Sequence, residues 1–235
     1  VEDVNTHHHT KTYRKHGPDC RFGIPRPPSE YTIIAQAMSE EERKTEAETV
    51  QGQAFIMGKV KAELKRVEED LKERKKDDDK AEIEGTLTEM LQKLFPDVSL
   101  AADEKYIIIQ GDGEEQVKVK TALVQAAWKQ NPKHVERPIN LEAPRERLQS
   151  AAYHFALSIV SYGTKVILKR ELKDIFVNNY NIDWMAGWDG NLDIQPISDY
   201  FSCIVYITDY VCKPEKNIMN ILKDVKKAKK KEQAS

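Results

Sequence analysis

Apolar residues recur in steps of three and four at Met57, Val60, Leu64, Val67 and Leu71, which predicts a long helix over 39–76. Ser39 stands at its start as a cap, and Glu40, Glu41 and Glu42 fill its first turn, where negative charge suits the helix dipole. The seam lasts only about two heptads, too short for a coiled coil, so the helix reads as one arm of a helical hairpin. Residues 75–80, KKDDDK, form the turn, and Ile83, Leu87, Leu91 and Leu94 line the second arm. The pattern then changes period. YIII and QVKVK flank the turn-forming GDGEE, which predicts a β-hairpin over 105–121. A short helix over 122–129 and a loop over 131–144 follow. From Arg145 an amphipathic helix places Leu148, Ala152, Phe155 and Ile159 on one side and ends at Gly163. TKVILK and the IFV after Asp174 read as two short strands within 163–178. NIDWMAGW is a helical turn capped by Asn181, and NLDIQ alternates as a half-buried strand does. A last helix starts at Pro196, a residue tolerated in a first turn. Residues 1–36, rich in His, Pro and Gly, keep neither period.

These elements predict an α+β architecture: a small, mainly antiparallel sheet with packed helices, plus a protruding helical hairpin. Five segments are expected: an irregular Cys/His-rich block over 1–38, the helical hairpin over 39–95, a β-hairpin and loop over 96–144, a C-terminal segment over 145–215 and a basic tail over 216–235. Trp184 and Trp188 read as core residues.

The 235 residues suffice for one large domain or two small ones. Apolar residues make up 40% and charged residues 32%, which is a polar chain with an adequate core. The net charge of −2 announces no nucleic-acid binder in bulk, yet both ends are locally basic. Cys20, Cys203 and Cys212 are too sparse for a disulfide framework and favour a reducing compartment. No apolar run approaches a membrane span, so no membrane partner is expected. The chain opens on Val1, which suggests a piece of something longer.

Three sets of residues carry chemistry. His7, His9, His16 and Cys20 have the side chains of a zinc site, in a segment that cannot build its own core. Tyr206 and Tyr210 stand four apart and share one helix face, where phenols can serve as nucleophiles or fill a core. Arg14, Lys15, Arg21 and Arg26, with Phe22 and Tyr31 nearby, have the make-up of a surface that tracks phosphates and stacks bases. The basic tail adds charge to such a surface or is a solvated helix end. GQAFIMGKV resembles a phosphate loop only loosely. It lacks the Ser/Thr after its lysine and lies inside a helix, so no NTP site is expected.

The run from Val166 to Lys213 resembles the tyrosine-bearing segment of Helitron-type transposon proteins, the rolling-circle initiator-helicase polyproteins. HHHTKTYRKHGPDCRFGIPRPPSEYTII resembles the Cys/His block that precedes that segment in the same family. The two blocks cover roughly half of the chain, in the family's order. The resemblance implies an initiator domain of the HUH nuclease class, acting on single-stranded DNA with a divalent metal, Mg or Mn. It implies Tyr206 and Tyr210 as the paired nucleophiles and Lys213 as a basic residue beyond them. Asp193 and Gln195 match polar positions near the metal, and His7, His9, His16 and Cys20 fall in the zinc-like block. Its implied partners are single-stranded DNA and the remainder of the parent polyprotein, in the nucleus. The chain departs from the family at Tyr13, where a cysteine is usual, and it begins at the Cys/His block, downstream of the metal-binding His-apolar-His. No helicase motif is present. The expectation is therefore a partial or degenerate initiator, inactive alone. The alternative is a non-catalytic single-stranded DNA-binding or domesticated interaction module.

Overall fold

The computed structural model describes residues 5–7, 20, 23–111, 116–131, 133, 137–161, 163–188, 194, 200, 203–204 and 207–208. The chain divides into two units, Val1–Pro196 and Ile197–Ser235. The first unit is α+β, with two small sheets.

Strand β1, Ile33–Ala37, opens the first sheet. Its Ile33 and Ala35 are buried while Ile34 and Gln36 face solvent, the period-2 pattern of a half-buried strand. The irregular reading of residues 1–36 therefore stops short here. Only five alternating positions follow the Pro-rich stretch, too few to stand out. A break at Glu46 divides the first predicted helix into α1, Glu40–Thr45, and α2, Ala47–Asp77. Ser39 caps α1 as expected, in a capping box with Glu42. Helix α3, Leu87–Leu94, starts from a second capping box of Thr86 and Glu89. Glu63 pairs with Lys93 of α3 at 2.6 Å, and Arg74 with Glu84 of the connection at 2.9 Å; Ile83, expected on the second arm, lies in that connection, ahead of the Thr86 cap.

The second sheet is an antiparallel meander of β2, Val98–Leu100, β3, Tyr106–Gln110, and β4, Gln116–Lys120. The predicted hairpin is thus extended by one strand. Ile107, Ile109, Val117 and Val119 bury one face of it, and α2 lies across β4. Helix α4, Thr121–Trp128, follows directly.

Helix α5, Arg145–Leu157, is the centre of the unit. Every residue from Leu148 to Leu157 is buried, so the predicted amphipathic helix is in fact enclosed all round. It ends at Leu157, and Ile159 lies in β5, Ile159–Val160, which pairs parallel with β1. Gly163 sits in the turn after β5 with a φ of 65° rather than at the helix end. Strand β6, Thr164–Ile167, pairs antiparallel with β1 and not with the IFV segment. That segment is no strand: a 3-10 turn over Leu172–Asp174 leads into it, and both Ile175 and Phe176 are buried. Helix α6, Ile182–Trp188, occurs as expected, with the Asn181 side chain accepting from Asp183 and Trp184 main-chain N–H groups. Trp184 and Trp188, however, are 66% and 67% exposed and are not core.

The glycines of the rejected phosphate loop have different tasks. Gly58 faces open space on α2. Gly58→Ala is expected to raise stability by about 0.5–1 kcal/mol, since alanine is the better helix former. Urea unfolding reads this, and a loss of stability would contradict it.

Candidate functional site

Ten residues, 170–179, receive the beginning of the chain. Ser29 and Arg170 exchange two main-chain hydrogen bonds of 2.9 Å. Arg26 N–H donates to Ile175 O, and His7 N–H to Phe176 O, each at 2.8 Å. Thr6 bridges Val177, and Asn178 N–H donates to Asn5 O at 3.0 Å. The Asn5 side chain returns a bond to Asn178 O at 3.2 Å, so the fully buried Asn5 and the buried Asn178 satisfy each other. The 170–179 stretch is itself held by Arg170. Its guanidinium donates to Asp174 O and Val177 O at 2.6 Å each, and to Asn179 Oδ1 at 2.7 Å. A planar fork with five donors suits such a loop, because it satisfies several inward carbonyls from one side chain. Asn179 O in turn accepts from Ile194 N–H at 2.8 Å, the described residue of the NLDIQ run.

At this junction the buried His7 places Nε2 3.4 Å from the Cys20 Sγ. Zinc bonds of about 2.0–2.1 Å to nitrogen and about 2.3 Å to sulfur place two tetrahedral ligands roughly 3.6 Å apart. The pair therefore fits two corners of a zinc site, and fits an S–H···N hydrogen bond equally. Cys20 and Cys203 are free thiols. Among the described residues no three His, Cys, Asp or Glu side chains converge. The other predicted ligands, His9, His16, Asp193 and Gln195, lie outside the described residues, as do Arg14, Lys15, Arg21, Tyr206, Tyr210 and Lys213. Arg26 is described and half-buried beside the junction. Near the tyrosine pair the described Tyr200, Ile204 and Ile207 are exposed by 75%, 43% and 52%.

Tyr31 is not a platform for bases. It is 7% exposed and stacks on the His154 ring at 4.6 Å. Burial, with the Glu30 charge beside it, raises its phenol far above the ordinary value. His154 has no exposure at all. Its Nε2 accepts from Glu30 N–H at 3.1 Å, and its Nδ1 faces Ser150 O at 2.7 Å, which can only accept. The network thus assigns the proton to Nδ1. Ser150 Oγ lies 3.2 Å from that same nitrogen but meets no basic lone pair, so Ser150 and His154 are not a nucleophile and its base.

One feature lay beyond the periodicity: a cleft of about 230 Å3 between α3, α4 and the first turns of α5. Its parts come from residues 30, 88–91, 128, 137 and 144–150, which no local pattern joins. Glu30 and Ser150 meet there. Burial raises the Glu30 carboxyl above its ordinary value, and the hydrogen bond from Ser150 opposes that rise. A carboxyl whose folded pKa is raised takes up its proton more readily when folded, so its burial costs stability as pH rises above the ordinary carboxyl range. Glu30→Gln is expected to melt above the native chain at pH 7, with the gap closing near pH 3. A gap that stays constant over that range would refute the assignment. Compared with known protein families, with curated proteins and with solved structures, the chain matches none.

Proposed function

We propose that this chain is part of a Helitron-type rolling-circle initiator and carries the paired tyrosines that cut and rejoin single-stranded DNA in the intact protein. What supports the reading is the junction of residues 5–7 and 24–29 with 170–179. His7, residues 24–29 and residues 170–179 belong to the two blocks that resemble the family, with Asn5 and Thr6 just ahead of the first; they are far apart in sequence, and main-chain hydrogen bonds join them. In the proposed reaction the Tyr206 oxygen attacks the scissile phosphorus. The bond to the 3′ oxygen breaks, leaving a 3′ hydroxyl and a 5′-phosphotyrosine, and Tyr210 serves the strand-transfer step in the same way. Lys213 offers positive charge beside them. A divalent metal, Mg or Mn, supplies charge stabilisation in the family. Among the described residues no donor set for it is assembled, and no step is assigned to it. Zinc is the proposed ligand of His7 and Cys20, with a structural task. The proposed partners are single-stranded DNA and the rest of the parent polyprotein, in the nucleus. No helix among the described residues is long and apolar enough to cross a membrane.

The test is covalent trapping on 3′-labelled single-stranded DNA with Mn. The chain by itself is expected to give no adduct. An intact initiator of the family that carries this segment together with a His-apolar-His strand is expected to give one, visible as a slow band on a denaturing gel. Tyr206→Phe with Tyr210→Phe abolishes that band. An adduct that survives the double change sinks the assignment.

A further inference from the structure

Two of the three tryptophans stand in the open on α6. Trp184 and Trp188 are each about two-thirds exposed, although an indole is among the side chains a fold gains most by burying. Four residues apart, they share one side of the helix, with Cβ atoms about 5–6 Å from each other. Neither indole has a hydrogen-bond or ring partner among the described residues. Met185, on another side of α6, is buried and anchors it, so the indoles are not what holds the helix in place. At about 100° of rotation per residue, Asp183 flanks the indole side and Gly187 falls between them. Asp183 is exposed and forms no ion pair with a described residue. A Cβ on Gly187 would meet nothing within 4 Å, so the surface between the carboxylate and the rings is open.

Size and charge select the occupant. Two indoles exposed to that degree offer roughly 200–330 Å2 together, from about 150–250 Å2 for each whole side chain. A stable interface between folded partners needs about 800 Å2 on each side. The face is therefore too small to pair two copies of this chain and fits a few side chains of an extended segment. Helix α6 carries no Lys or Arg, and Asp183 is its one charge. A carboxylate beside two electron-rich ring faces repels phosphates and attracts a cation. Among protein cations arginine fits best. Its guanidinium is planar, so it lies flat on an indole, and its fork of donors matches a carboxylate, whereas a lysine ammonium does neither. We infer that α6 is a docking face for an arginine-bearing segment of a partner protein, with a guanidinium stacked on Trp184 or Trp188 and paired with Asp183. The inference stands without the initiator reading, because Tyr206 and Tyr210 have no part in it.

The experiment is titration of the full chain at low salt with a Gly-Arg repeat peptide, its Gly-Lys and Gly-Glu counterparts, and oligo-dT. Tryptophan fluorescence places the binding and calorimetry measures it. Trp128 is 2% exposed and its indole N–H donates to Arg137 O, so a change in emission reports Trp184 and Trp188. The arginine peptide is expected to quench that emission and to bind more tightly than the lysine peptide, with the glutamate peptide not binding. Trp184→Ala together with Trp188→Ala is expected to weaken the arginine peptide by about threefold or more, the loss of one exposed cation–π contact. Asp183→Asn is expected to weaken it and to flatten its salt dependence. All three side chains are exposed, so the variants keep the fold, which far-UV circular dichroism verifies. Unchanged binding in the double tryptophan variant would overturn the inference. So would a lysine peptide that binds as tightly as the arginine peptide, or oligo-dT that quenches the exposed indoles more strongly than either. Emission that shifts with protein concentration alone would mark a second copy as the occupant and overturn it as well.

Discussion

Arg170→Ala is expected to lower the stability of the folded chain by about 3 kcal/mol. Three hydrogen bonds from a charged donor are lost, to Asp174 O, Val177 O and Asn179 Oδ1. Each bond of that kind contributes roughly 1.5–3 kcal/mol, and partial hydration of the released carbonyls offsets part of the loss. The damage reaches further than the loop. The 170–179 stretch accepts from His7, Arg26 and Ser29 main chain, so once the loop is free to change shape it no longer presents a fixed edge to them. Arg170→Lys is expected to recover no more than about 1 kcal/mol, because an ammonium group cannot reach three acceptors that a planar fork spans. Urea unfolding followed by circular dichroism measures both. A loss under about 1 kcal/mol for the alanine variant would show that the guanidinium is not what holds the loop.

Gly52→Ala is the second large effect, and its sign opposes helix propensity. On propensity alone alanine gains about 1 kcal/mol inside a helix. Here a Cβ would stand 2.5 Å from the Lys118 carbonyl oxygen and 2.8 Å from Val119 Cγ1. The first is backbone of β4 and cannot rotate away. Helix α2 cannot easily lift either, because Thr49 Oγ1 accepts from Lys120 N–H at 3.2 Å and Glu46 pairs with the Lys120 ammonium at 2.6 Å. Overpacking of this kind costs about 1–3 kcal/mol, and a net destabilisation of about 2 kcal/mol is expected after the propensity gain. Urea unfolding of Gly52→Ala and Gly58→Ala together is the sharpest form of the measurement. Opposite signs are expected for two glycines six residues apart on one helix, and equal signs would contradict the close approach of α2 to β4.

Local pattern alone marked where two helices start. Ser39 and Thr86 are capping residues because their side chains satisfy N–H groups within three residues, an interaction short enough to be written in a tetrapeptide. The hairpin at 106–120 was legible for the same reason, since its turn lies between its strands. The α+β class followed from these elements, and the Cys/His block and tyrosine-bearing run carried the family resemblance. Tertiary structure decided what depends on partners far away in sequence. Strand β1 exists because β6, over a hundred residues later, completes its hydrogen bonds. The IFV segment is a turn because Arg170 gathers its carbonyls inward. Helix α5 is buried on every side because both sheets and α2, α3 and α4 meet it, whereas its sequence alone displayed one apolar stripe. His7 and Cys20 come within 3.4 Å of each other only because the start of the chain folds onto residues 175–178. The cleft with Glu30, Arg137 and Arg147 depends on three separate stretches meeting at the start of α5. Periodicity records which face of an element is apolar; which element covers that face is set by chain topology and packing.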